Sequence, residues 1–274
     1  MFKIIIMALL IFIGMVGYDN ITDKAQPTTP VQQEQQKVSK HEKSAAMALF
    51  TSLLPPKEEW PSPVHKFYLA FNMDEVIDPV RQNPNWTGLD AMSRDIPQAL
   101  IAIEDHAFYN HGAIAVEGIL RAALANINAG EVVQGGSTLT QQFVKNVFLS
   151  HEQSMERKIE EAVLSLMLED NYSKDEILEL YLNTTYFGAG STGIKQASRT
   201  YFGKAPSALT LAEAAVIASL PYAPTSLNPL ENPEGCKKRQ LLVLAAMHKY
   251  GMINQGQLEE AKAEKIRLTN GTVM

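Results

Sequence analysis

The chain has 274 residues, 46% of them hydrophobic, enough for one good-sized domain with appendages. A formal net charge of −6 argues against general electrostatic attraction to nucleic acid. The single cysteine, Cys236, excludes an intramolecular disulfide framework and a CxxC metal or redox site, and reads as a small packed hydrophobe. HExxH and long-period repeats are absent, so zinc-peptidase and solenoid readings have no support.

Lys3 is followed by IIIMALLIFIGMVGY (4–18), which carries no charge before Asp19. Its length falls between a signal-peptide core and a bilayer-spanning helix of about 20 residues. No A-x-A-type cleavage site follows, which favours an uncleaved membrane anchor over a cleaved signal. Either way the remainder is exported and Lys3 stays on the cytoplasmic side. Residues 19–63 read as a tether: 19–43 are too polar to offset their ordering entropy, 41–54 suit a short helix, and the prolines of PPKEEWPSP (55–63) end it. The globular part is expected over 64–274.

The globular part reads as mainly α. Thr138 with Gln141, Ser173 with Glu176 and Thr210 with Glu213 each spell a capping box ahead of a helical run, and long β-branched alternation is absent. ALIAIEDHAFYNHG (99–112) ends an apolar run in the adjacent carboxylates Glu104 and Asp105. An apolar flank raises a carboxylate pKa toward the range of a general base, which suits Glu104. His106 and His111 are five apart, a poor metal spacing on a helix, and read as packing or hydrogen-bonding residues.

In QGGSTLTQQFVKN (134–146) two glycines, Ser137 and Thr138 open a helix, whose free N–H groups could bind an anion, with Lys145 further in as a point charge. A simply capped helix is the competing reading, and the Walker ending GK[ST] is missing. In 156–169, Ile159, Ala162, Val163 and Leu166 form one apolar stripe and Leu164 and Leu168 another, so this helix is expected to be buried nearly all round. Glu161 falls on the second stripe, within helical reach of Arg157 and Lys158. It is either a functional acid or one half of a helix-end ion pair.

In order, EDHAFYNH (104–111), GGSTLTQQFVKN (135–146), RKIEE (157–161), YSKDEILELYLNTTYFG (172–188) and TLAEAAVIASLPYAPTSLNP (210–229) resemble the peptidoglycan glycosyltransferases of family 51 over roughly residues 90–268. The resemblance implies a lysozyme-like helical fold behind the anchor, with the catalytic domain on the outer (periplasmic) side of a bacterial inner membrane. It implies polymerisation of lipid II into glycan strands with inversion and release of undecaprenyl pyrophosphate. Glu104 would be the general base. Glu161 would act on the pyrophosphate side, directly or through a divalent cation (Mg or Mn) held by it or by Asp105. Ser137, Thr138, Gln141, Lys145, Asn146, Arg157 and Lys158 would bind substrate. Partners implied are lipid II, the growing glycan strand, the membrane and other cell-wall synthesis proteins.

Residues 113–133 would match the lipid-facing segment of such enzymes, an ordinary core helix being the alternative. The chain departs from the family pattern at Ala113 (usually glycine), Ala115 (commonly aspartate) and Gln153 (usually an arginine thought to grip the donor phosphates). No serine has a lysine three places later and no KTG occurs, so this sequence has no penicillin-binding transpeptidase motif. A non-catalytic lipid-II-binding scaffold and a lysozyme-like glycan-cleaving enzyme are the competing functions. The latter has no use for a pyrophosphate site.

Overall fold

The computed structural model describes residues 68–70, 72–129, 135–149 and 154–274, apart from the side chains of 123–126, 128–129 and 155. The anchor at 1–18, most of the tether and Gln153 lie outside the described residues. The chain divides into two units at Met73/Asp74. Of the first, Tyr68–Ala70 are helical, and the Asn72 side-chain amide donates to the Tyr68 carbonyl.

The second unit, Asp74–Met274, is built of helices. They are α1 (Asp74–Arg81), α2 (Asp95–Glu104), α3 (Val116–Ala129), α4 (Leu139–Phe148), α5 (Met155–Asn171), α6 (Lys174–Thr184), α7 (Ile194–Phe202), α8 (Leu211–Ser219), α9 (Pro233–Lys249) and α10 (Gln255–Ala263). Among the described residues there is no strand, only the isolated bridges Tyr186–Thr192 and Arg267–Val273. The mainly α expectation therefore holds for the described part.

All three expected capping boxes are formed, at Thr138/Gln141, Ser173/Glu176 and Thr210/Glu213, and Asn254/Gln257 adds another ahead of α10. Each satisfies backbone donors that the first helical turn leaves unpaired. The core has α8 at its centre, buried from Ala212 to Ser219 and packed against α2 and α9. A second layer joins α4 to α5 and α6. Cys236 is fully buried, and burial pushes its thiol up to about 11, as fits a packed small hydrophobe.

The α6 motif serves mainly as a clamp. Glu179 accepts from the Trp86 indole (3.0 Å) and the Leu89 N–H (2.9 Å), while Asn183 exchanges hydrogen bonds with the Thr87 backbone. After α6 the chain turns through Gly188 at φ +87°, where a Cβ would lie 2.3 Å from the Pro224 carbonyl oxygen. Only glycine allows both that backbone conformation and that approach.

The expectation of an all-round buried α5 is corrected. Glu161, Ser165, Leu168 and Tyr172 face inward, whereas Ile159 is 54% exposed and Ala162, Val163 and Leu166 are half-buried. Of the stripe bearing Glu161, Leu168 is buried and Leu164 half-buried, and the other stripe only partly packs.

Candidate active site

Glu104 is the last residue of α2, half-buried. Its carboxylate accepts a hydrogen bond from the Gln142 amide of α4 (3.0 Å), and the Gln142 oxygen accepts from the buried Tyr181 hydroxyl of α6 (3.1 Å). A chain of donors thus runs from α6 through α4 to the carboxylate. Burial raises the Glu104 pKa above the usual carboxylate range. The Gln142 hydrogen bond and the charges of Arg239 and Lys145 work the other way, and the neighbouring Asp105 charge adds to the rise. The result is a shielded carboxylate whose ionised form is favoured by the charges of cations on two other helices.

Asp105 has a different task. Its two oxygens accept from His111 (2.7 Å) and from the Leu139 N–H (3.0 Å), the first residue of α4. His111 also faces the Gly112 carbonyl through Nδ1 (2.6 Å), so only the imidazolium donates at both nitrogens. Burial disfavours that charge, but the Asp105 hydrogen bond, the Gly112 carbonyl and the Asp105 charge outweigh it, and the His111 pKa is raised. His106 stacks on Tyr250 with centroids 4.1 Å apart. Both histidines thus pack or hydrogen-bond, as expected.

Of the two readings of the start of α4, the geometry fits the capped helix. Leu139 N–H is taken by Asp105, Gln141 N–H by the Thr138 hydroxyl, and Thr138 N–H by the Gln141 side chain (3.1 Å each for the last two). The helix end already holds an anion, and it is the protein's own. Thr138 also donates to the Ala113 carbonyl (2.7 Å), and Thr138 and Gln141 are both 2% exposed. These two residues hold the fold and offer no open face to a substrate. Gly136 serves packing, since a Cβ there would sit 3.0 Å from the Ile119 backbone of α3.

A separate cluster lies at the start of α5. Lys158 donates to the Ser137 hydroxyl (3.0 Å) and pairs with Glu161, which is 2% exposed against 47% for the lysine side chain. The ion-pair reading of Glu161 is therefore realised, and the pair ties the GGST loop to α5. Arg157 lies half-buried on the same first turn, while Lys145 and Asn146 are exposed on α4. The structure thus joins Ser137, Lys158 and Glu161 in one group, while Glu104 is held by Gln142, with Lys145 on the same helix as that glutamine. Neither candidate metal ligand is arranged for a divalent cation: an ammonium already holds the Glu161 carboxylate, and Asp105 has both oxygens engaged.

Gln142, Tyr181 and Arg239 escaped the sequence reading. The first was legible in principle: with Thr138 as N-cap, Gln141 is consumed at the third helical position and the next glutamine is the free one. Tyr181 and Arg239 reach the site through tertiary packing, and nothing local announces it.

Comparison with known proteins agrees with the motif pattern. The Transglycosylase family matches over residues 72–248. A candidate transglycosylase of Cupriavidus necator is 41% identical over 71% of this chain and 84% of its own length. Penicillin-binding protein 1A of Neisseria flavescens and penicillin-binding protein 2D of Bacillus subtilis are each 44% identical, over 68% and 66% of this chain. This chain spans only about a quarter of those two, at 23% and 26% of their lengths. With a family match over more than half its length, the chain belongs to the Transglycosylase family.

Proposed function

We propose that the protein is a peptidoglycan glycosyltransferase that polymerises lipid II into β-1,4 glycan strands. The observation that carries this reading is Glu104, a shielded carboxylate fixed by Gln142 in the field of Lys145 and Arg239. Burial brings its pKa closer to working pH, which strengthens it as a base, while the cations favour the ionised form that accepts a proton.

Glu104 takes the proton from the 4-hydroxyl of the acceptor sugar. The freed oxygen attacks the anomeric carbon of the growing chain, and the bond from that carbon to the pyrophosphate oxygen breaks with inversion. Undecaprenyl pyrophosphate leaves with the bonding electron pair, and Lys145, Lys158 and Arg157 supply the positive charge that meets it. Ser137 and Glu161 set the Lys158 ammonium in place. No step passes through a divalent cation.

The exposed apolar face of α3 supports a site at the membrane. Val116 (64%), Leu120 (60%) and Ile127 (76%) are open, and Ile159 of α5 is exposed as well. Among the described residues no helix is long and apolar enough to span a bilayer. On this reading residues 1–18, outside the described residues, serve as a membrane anchor or an export signal, and the catalytic unit lies on the outer face of the cell membrane.

The test is polymerisation of purified lipid II by the detergent-solubilised full chain, with Glu104→Gln in parallel. The expected result is polymer from the parent and a loss on the order of 10²-fold or more in the variant. An inert parent that still binds lipid II would establish the scaffold reading, which rests on Gln153. Cleavage of preformed glycan would establish the hydrolytic one.

A further inference from the structure

Tyr181 of α6 is only 1% exposed, and the proposed reaction makes no direct use of its hydroxyl. That hydroxyl donates to Gln142 Oε1 (3.1 Å), and Gln142 Nε2 donates to Glu104 (3.0 Å). The α4 backbone that carries Gln142 is tied down separately, by the Leu139 N–H on Asp105 (3.0 Å) and by the Thr140 hydroxyl on Glu169 of α5. What the backbone leaves free is the last torsion of the glutamine, which is broad and nearly twofold. The amide oxygen and NH2 group are close in size, so hydrogen-bond partners choose between the two orientations. Turned over, the amide would set Oε1 against the ionised Glu104 carboxylate, two acceptors with no proton between them.

We propose that Tyr181 is a positioning residue for Glu104: its hydroxyl takes up Gln142 Oε1 and so keeps Nε2 turned toward the carboxylate. The hydroxyl suits that task because it stays a donor. Burial, with the Glu104 charge adding to it, holds the Tyr181 pKa above the ordinary tyrosine value, so the phenol keeps its proton at working pH. Without that donor, Gln142 Oε1 is left unpaired in a shielded site, and the amide turns to relieve it at the expense of Glu104. The Gln142 hydrogen bond is the largest influence favouring the ionised Glu104, ahead of the Arg239 and Lys145 charges, while the Asp105 charge opposes it. Losing that bond therefore moves the Glu104 titration upward. The catalytic meaning of this relay rests on Glu104 being the base; the relay itself does not.

The experiment follows the Glu104 carboxyl by NMR in the full chain in detergent, with isotope-labelled glutamate and the signal assigned by its loss in Glu104→Gln. Tyr181→Phe removes one oxygen and keeps the ring. It should raise the Glu104 titration midpoint by about one pH unit, a tenfold change in proton affinity. Gln142→Met should raise the midpoint at least as far. Adding Tyr181→Phe to Gln142→Met should move it no further, because the hydroxyl acts through the amide. In lipid II polymerisation the acid limb of kcat/KM should move up with the midpoint, since a base of higher pKa is ionised only at higher pH. An unmoved midpoint in Tyr181→Phe, or shifts that add in the double variant, would overturn the positioning role. A limb that stays in place while the midpoint moves would instead remove Glu104 as the base and leave the relay standing, so the two failures are separable.

Discussion

Asp105→Ala removes a side chain that touches no substrate in the proposed reaction, and its consequences can be worked from two hydrogen bonds. The bond to imidazolium His111 is charge-assisted and 2.7 Å long, between side chains 9% and 16% exposed. Its loss costs about 1.5–3 kcal/mol. The Leu139 N–H at the head of α4 loses its acceptor too, adding about 1–3 kcal/mol. A total of about 2.5–6 kcal/mol lowers the melting temperature of a unit this size by roughly 10 °C or more. The loss also carries a pH signature. The His111 pKa is raised in the folded chain, so its stabilisation is fully present below the unfolded value of about 6.5 and fades as pH rises through the higher folded value. Melting curves followed by circular dichroism from pH 5 to 9 should show the widest gap between parent and variant near pH 5–6, narrowing above neutrality. A gap of constant width across that range would refute the assignment of His111 as an imidazolium held by Asp105.

Further outcomes follow from the same geometry. Glu104→Gln should melt higher than the parent at pH 7 and equally at pH 4: a carboxylate with a raised folded pKa penalises the fold once ionised, and the penalty vanishes when both states are protonated. Calorimetry at the two pH values decides it. Lys158→Ala should destabilise by about 1–3 kcal/mol, less than for a fully buried pair because the lysine is 47% exposed; adding Glu161→Gln should restore stability but not polymerisation, read by urea denaturation and lipid II turnover. Gly188→Ala should give little folded protein, since the new Cβ meets the Pro224 carbonyl at a φ that costs about 1–3 kcal/mol by itself; recovery of normal soluble protein would contradict the turn geometry.

What the sequence makes legible follows the range of the forces involved. Helix starts at Thr138, Ser173 and Thr210 are written within four residues, because a capping box is a local exchange of hydrogen bonds. The pairing of Lys158 with Glu161 is local in the same sense. The roles of Glu104 and Asp105 are not. Both are carboxylates at one helix end, and only the arrival of His111 and α4 makes one a structural anchor and leaves the other a shielded carboxylate held by Gln142. The supposed anion site at the GGST turn looked open because no residue near it in sequence fills it; Asp105, more than thirty positions earlier, does. The half-exposed stripe of α5 shows the complementary limit: periodicity reports a face that can be buried, and tertiary packing decides whether it is.

The adjacency of Glu104 and Asp105 has a physical logic. Two carboxylates side by side repel, and burial penalises both, so the pair stands only if each is compensated from elsewhere. For Asp105 the compensation comes from the His111 cation and the head of α4. For Glu104 it comes from Gln142 and Lys145 of α4 and from Arg239 of α9. α4 therefore serves both acids at once: its first N–H fixes Asp105, and its next turn brings Gln142 to Glu104. A displacement of α4 that breaks the first contact withdraws the second, so the surroundings of both acids are complete only in the fully docked fold. The contacts that shield Glu104 and those that offset its burial thus come from the same packed helices. The environment of Glu104 is in this way a product of tertiary structure, made by the contacts that stabilise the domain.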